Sequence, residues 1–139
     1  MAPNHPVQAG WVPVCRRADL VAHSGVVALL EGVQVALFYL PEAAQAVHAI
    51  ANRDPFSGAN VIGRGLLGRL GGELVVASPL YKQHFRLRDG VCLEDPNQRL
   101  AVWPARLHED TVLLGPVRPT AQAGMARAET AQARSAAAG

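Results

Sequence analysis

Short apolar runs separated by turn signals constrain this chain more than any other feature. They occupy residues 10–15 (GWVPVC), 26–30 (VVALL), 33–40 (VQVALFYL), 46–51 (AVHAIA), 66–70 (LLGRL), 73–78 (ELVVAS), 84–90 (HFRLRDG), 100–108 (LAVWPARLH) and 111–115 (TVLLG). Each is of strand length and too short for an ordinary core helix. Glu31-Gly32, Gly71-Gly72 and Glu109-Asp110 stand between neighbouring runs as hairpin turns. In the third run Val33, Val35, Leu37 and Tyr39 alternate with Gln34, Ala36, Phe38 and Leu40, so both faces are partly apolar, as in a strand enclosed within a sandwich. The expected fold is all-β: a sandwich or small barrel of short antiparallel strands. Brief helical turns are expected only at residues 18–22 and 41–45, the latter because Pro41 suits a first helical turn.

With 139 residues the chain is long enough for one domain and some tail. The expected boundaries are a loose lead at 1–8, a domain at 9–116 and a disordered Ala-rich tail at 117–139, which has too little apolar bulk to offset its ordering entropy. The net charge of +2 belongs to that tail, where Arg118, Arg127 and Arg134 face Glu129 alone. The rest is neutral, which argues against a nucleic-acid partner. Two cysteines, Cys15 and Cys92, are too few for a disulfide scaffold or a four-thiolate metal site. No secretory signal is visible, and the most apolar stretch, residues 26–40, is interrupted and too short to span a bilayer. A cytoplasmic protein without membrane contact is expected.

The most informative stretch is residues 50–95. Two proline-containing loops, Asp54-Pro55-Phe56 and Ser78-Pro79-Leu80-Tyr81, lie 24 residues apart, and the second leads into His84-Phe85-Arg86-Leu87-Arg88-Asp89-Gly90. This resembles Rieske iron–sulfur domains, which carry Cys-x-His in a first loop, Cys-x-x-His in a second, and then Phe-x-Leu-x-x-Gly. Pro79, Phe85, Leu87 and Gly90 match. The former cluster-ligand positions hold Asp54, Phe56, Ser78 and Tyr81 instead. Phe56 has no ligating atom, and the oxygen donors are poor substitutes for thiolate and imidazole. The wording of the loops, IANRDPF, VIGRGLL and GELVVASPLYKQHFRLRDGVCLED, is similar to the small subunit of assimilatory NAD(P)H-dependent nitrite reductases, a family with a Rieske-like fold that lacks these ligands.

The resemblance covers residues 11–115. It implies a Rieske-like sandwich with a small loop-rich subdomain at the former cluster site. It also implies a large-subunit partner, which holds FAD, sirohaem and an iron–sulfur cluster and reduces nitrite to ammonium. This chain is then a cofactor-free, non-catalytic subunit supporting that partner, with no catalytic, cofactor-binding or metal residue of its own. Two alternatives are a Rieske-type [2Fe–2S] electron carrier and a cluster-less interaction module of another oxidoreductase.

Individual residues support few other chemistries. His84 and Cys92 show no arrangement that activates a nucleophile, since His84 is expected to face solvent and Cys92 to be buried. Asp54, His48, His84 and His108 lack metal-ligand spacing. The glycines of residues 63–72 fit turns and close packing better than a phosphate loop. Lys82, His84, Arg86 and Arg88 alternate, so they are expected on one strand face, either solvated or docking the large subunit. In Rieske proteins the cluster tip faces the redox partner, which makes residues 54–57 and 78–82 a second candidate interface. Asp54 is expected to cap its loop by an Asx turn, and Phe56 and Tyr81 to fill the volume of the missing cluster.

Overall fold

The computed structural model describes residues 10–116. The expected lead and tail lie outside the described residues. Ten strands form among those described: β1 (Val12–Arg16), β2 (Ser24–Leu30), β3 (Val33–Tyr39), β4 (Val47–Ala51), β5 (Leu66–Leu70), β6 (Glu73–Ala77), β7 (His84–Arg86), β8 (Val102–Trp103), β9 (Ala105–His108) and β10 (Thr111–Leu114). They build three antiparallel sheets, β2-β3-β4-β8 at the centre, β1-β10-β9 on one face and β5-β6-β7 on the other. The three turn pairs join β2 to β3, β5 to β6 and β9 to β10 as hairpins.

β3 explains the layering. Val35 and Leu37 join Val47, Ala49, Val112 and Leu114 in a core shared with the β1-β10-β9 sheet. Ala36 and Phe38, pointing the other way, join Ile50, Ile62, Val76, Phe85, Leu87, Cys92 and Leu100 in a second core under the β5-β6-β7 subdomain. The alternation gives each core one side of a single strand, and full burial of each large side chain contributes about 1.5–3 kcal/mol.

Two expected strands are shorter than their apolar runs suggest. Residues 100–108 form β8 and β9 in different sheets, because Pro104 cannot donate to a ladder. Its carbonyl instead accepts the Gly115 N–H at 2.8 Å. Residues 84–90 are strand only as far as Arg86. The chain then turns, with the Gly90 N–H donating to the Arg86 carbonyl at 2.7 Å. Gly90 has φ +80° and faces the Leu100 carbonyl so closely that a Cβ would collide with it. That is the physical reason for the glycine ending Phe-x-Leu-x-x-Gly, whose Phe85 and Leu87 are core residues. The expected turn near residue 18 is a 3-10 helix at Arg17–Asp19, and a second covers Ile62–Arg64. Residues 41–45 form turns rather than a helix.

Candidate functional site: two loops joined by a buried hydrogen bond

The first loop leaves β4 and folds on Asp54. The Asp54 N–H donates to the Ala59 carbonyl at 2.8 Å, and the Asp54 carbonyl accepts the Gly58 N–H at 2.7 Å. Asp54 Oδ1 accepts the Phe56 N–H at 2.8 Å, which is the expected Asx turn. The second loop connects β6 to β7. The Ser78 N–H donates to the Gln83 carbonyl at 2.9 Å, and the Ser78 carbonyl accepts the Lys82 N–H at 3.0 Å. Lys82 adopts φ +62°, a left-handed conformation that costs a non-glycine residue about 1–2 kcal/mol.

A single side-chain bond joins the two loops. The Ser78 hydroxyl donates to Asp54 Oδ2 at 2.5 Å, with Asp54 0% and Ser78 1% exposed. These are the two residues expected at the cysteine positions of the Rieske pattern, and here a direct hydrogen bond between them joins the loops. The sequence reading placed the Asx turn but missed this contact, because no local pattern links residues 24 apart.

Phe56 and Tyr81, the residues expected at the histidine positions, differ from each other in burial. Phe56 is half-buried, with its ring 6.3 Å from that of Phe85 and packed on the subdomain core. Tyr81, expected to fill volume beside it, is instead 60% exposed. Leu80, 50% exposed, stands beside it.

These four residues do not fit a [2Fe–2S] cluster. Phe56 offers no donor, Asp54 and Ser78 are committed to each other, and Tyr81 is largely exposed. No group of three His, Cys, Asp or Glu residues suited to a metal ion occurs among the described residues. His48 is buried in β4, where desolvation lowers its pKa despite a backbone hydrogen bond to Gln45.

The expected row of positive charges is corrected by β7's length. Lys82 precedes the strand and Arg88 follows it, so the four residues do not share one strand face. Three of them are paired. The Arg86 guanidinium grips Asp89 through Nε at 3.1 Å and Nη2 at 2.6 Å. Burial raises the Asp89 pKa, but the Val91 N–H and Arg86 outweigh it and hold the carboxyl below its ordinary range. Arg88 reaches Glu73 at 3.0 and 3.1 Å, and this bond lowers the Glu73 pKa.

His84 is also not turned freely to solvent. Its Nδ1 lies 2.6 Å from Glu94 Oε2, and its N–H donates to Glu94 Oε1 at 2.8 Å. Burial opposes ionisation of Glu94, yet the His84 N–H and imidazole bring its pKa down. Cys92 Sγ lies 3.6 Å from Glu94 Oε1. Its side chain is buried as expected, and desolvation pushes the thiol pKa up. His84 and Cys92 therefore share a carboxylate rather than form a nucleophile pair.

The chain matches the Rieske-like [2Fe-2S] domain family over residues 10–115. It is 45% identical over 104 residues to the nitrite reductase (NADH) small subunit of Salmonella typhimurium, covering 75% of this chain and 95% of that protein. It belongs to the family of nitrite reductase (NADH) small subunits. The crystal structure of a putative NADH-dependent nitrite reductase small subunit from Mycobacterium tuberculosis superposes with a TM-score of 0.71 at 44% identity, covering 78% of this chain and 96% of that one. A nitrite reductase [NAD(P)H] large subunit from Klebsiella oxytoca is 40% identical over 105 residues, 76% of this chain but only 11% of the large subunit. In that relative the small-subunit domain is part of the long polypeptide.

Proposed function

We propose that this chain is the small, non-catalytic subunit of a cytoplasmic NAD(P)H-dependent nitrite reductase, supporting a large subunit that reduces nitrite to ammonium. FAD, sirohaem and an iron–sulfur cluster belong to the large subunit on this reading, and this chain holds no cofactor. The observation that carries the reading is the combination of 45% identity to a small subunit with a cluster site rebuilt around a buried Asp54–Ser78 hydrogen bond. A domain that replaces its cluster by hydrogen bonding and packing keeps a shape and loses an electron-transfer centre. Support for a partner is the role left to it.

The candidate interface residues Lys82, His84, Arg86 and Arg88 lie in or close to β7, in the subdomain that carries these loops. We assign docking to this subdomain. The test is to purify the chain from its native host and ask what accompanies it. A large subunit showing the sirohaem spectrum is the expected companion. Recovery with a different oxidoreductase, or of the chain alone with two bound irons, overturns the reading.

A further inference from the structure

We infer that the crest of the two joined loops, carried by Leu80, Tyr81 and Lys82, is the surface that docks on the large subunit. The Asp54–Ser78 bond is the link that shapes this crest. The inference rests on the proposed function and deepens it by naming the contact.

Apolar exposure, charge and rigidity converge at this crest. Leu80 and Tyr81 are large side chains 50% and 60% exposed, held side by side. An exposed Tyr on a rigid turn loses little entropy on binding, which suits it to anchor an interface. Lys82 is exposed and makes no ion pair among the described residues. By contrast His84, Arg86 and Arg88 have carboxylate partners within the domain. Lys82 therefore gives the crest a positive charge that no carboxylate of the described residues offsets, and its complement is an apolar patch rimmed by acidic groups. Rigidity comes from beneath: the Ser78 carbonyl and hydroxyl hold the Lys82 and Leu80 N–H groups at 3.0 and 3.4 Å, while Asp54 holds Ser78.

The occupant follows from the chain's ends and from the fused relative. Gly10 packs against Pro116, and both adjoin the β1-β10-β9 sheet. The crest belongs to the subdomain on the opposite face of the central sheet. Whichever end carries a tether, as in the Klebsiella oxytoca polypeptide, the chain leaves on the side away from the crest. A tethered domain placed in that way can present its crest to the catalytic body, and the tether raises the effective concentration of the contact. As a separate subunit, this chain needs its own docking affinity.

The experiment is binding of the full chain to purified large subunit by calorimetry at two salt concentrations, with melting temperatures recorded for every variant. Tyr81→Ala and Leu80→Asp are expected to raise Kd about tenfold or more, as for central anchors. Lys82→Glu is expected to raise it at least as much and to flatten the salt dependence. Lys82→Gly removes the charge while relieving the left-handed strain, so weaker binding at an unchanged or raised melting temperature separates docking from folding. Leu66→Asp, at an exposed site on β5 (77% exposed), is expected to bind like the parent. Equal affinity of parent and crest variants overturns the inference and leaves the proposed function standing. No binding by the parent overturns both.

Discussion

Ser78→Ala removes one hydroxyl and leaves the backbone intact. That hydroxyl is 2.5 Å from Asp54 Oδ2 in a site where Asp54 is 0% and Ser78 1% exposed, so bulk water has no access to the orphaned oxygen. Asp54 keeps the Phe56 N–H on its other oxygen at 2.8 Å. A hydrogen bond to a carboxylate contributes about 1.5–3 kcal/mol, and a buried unsatisfied oxygen places the loss in the upper half, about 2–3 kcal/mol. For a domain of this size each kcal/mol moves Tm by roughly 4–8 °C, so a fall of roughly 8–24 °C is expected. Asp54→Asn keeps shape, and its amide can donate to the serine oxygen while its carbonyl accepts from Phe56, so about 1 kcal/mol or less is expected. Urea unfolding followed by tryptophan fluorescence supplies the free energies, and a double-mutant cycle with Asp54→Ala isolates the pair. A coupling energy of about 1.5–3 kcal/mol is expected. Additivity within about 0.5 kcal/mol would show that the two loops are not held by this bond.

Other outcomes follow from the same structure. Phe56→Ala uncovers the half-buried contact with Phe85 and is expected to cost about 1.5–3 kcal/mol in urea unfolding, less than a fully buried Phe. Gly90→Ala forces a Cβ into the Leu100 carbonyl at φ +80°, so loss of the folded species in circular dichroism is expected. His48 is buried with its pKa below the ordinary 6.5, so the unfolded state binds more protons near pH 6 and stability falls as pH drops through that range. His48→Gln should flatten this part of the stability–pH curve. The depressed carboxyls of Asp89 and Glu94 act lower: their stabilisation is present above the ordinary carboxyl range and is lost as pH falls through and below it. Truncation after Pro116 should leave the melting temperature unchanged, because every core residue among those described precedes it.

The strands and hairpins were legible because alternation and turn residues are local signals. β3 displayed its position between two cores in the alternation of Val35 and Leu37 with Ala36 and Phe38. Pro104 was an available signal for the break between β8 and β9, but the apolar residues on both sides hid it. The site was less legible because it depends on register and on contacts distant in sequence. Glu73, Asp89 and Glu94 pair with Arg88, Arg86 and His84 across a hairpin, a tight turn and a loop, and alternation alone does not reveal those pairings. Tyr81 resembled a core filler in the motif, yet it lies exposed next to Lys82, a residue in the left-handed conformation. The Ser78–Asp54 bond joins two positions that the motif itself marked, and what the motif lacked was the geometry that makes them partners.

The most direct measurement is nitrite-dependent NAD(P)H oxidation by the purified large subunit, titrated with this chain prepared free of iron. The expected result is a rate that rises and saturates as the metal-free chain is added. A rate unaffected by the chain, or one that rises only when the chain carries a reconstituted [2Fe–2S] cluster, would contradict a supporting role performed without a cluster.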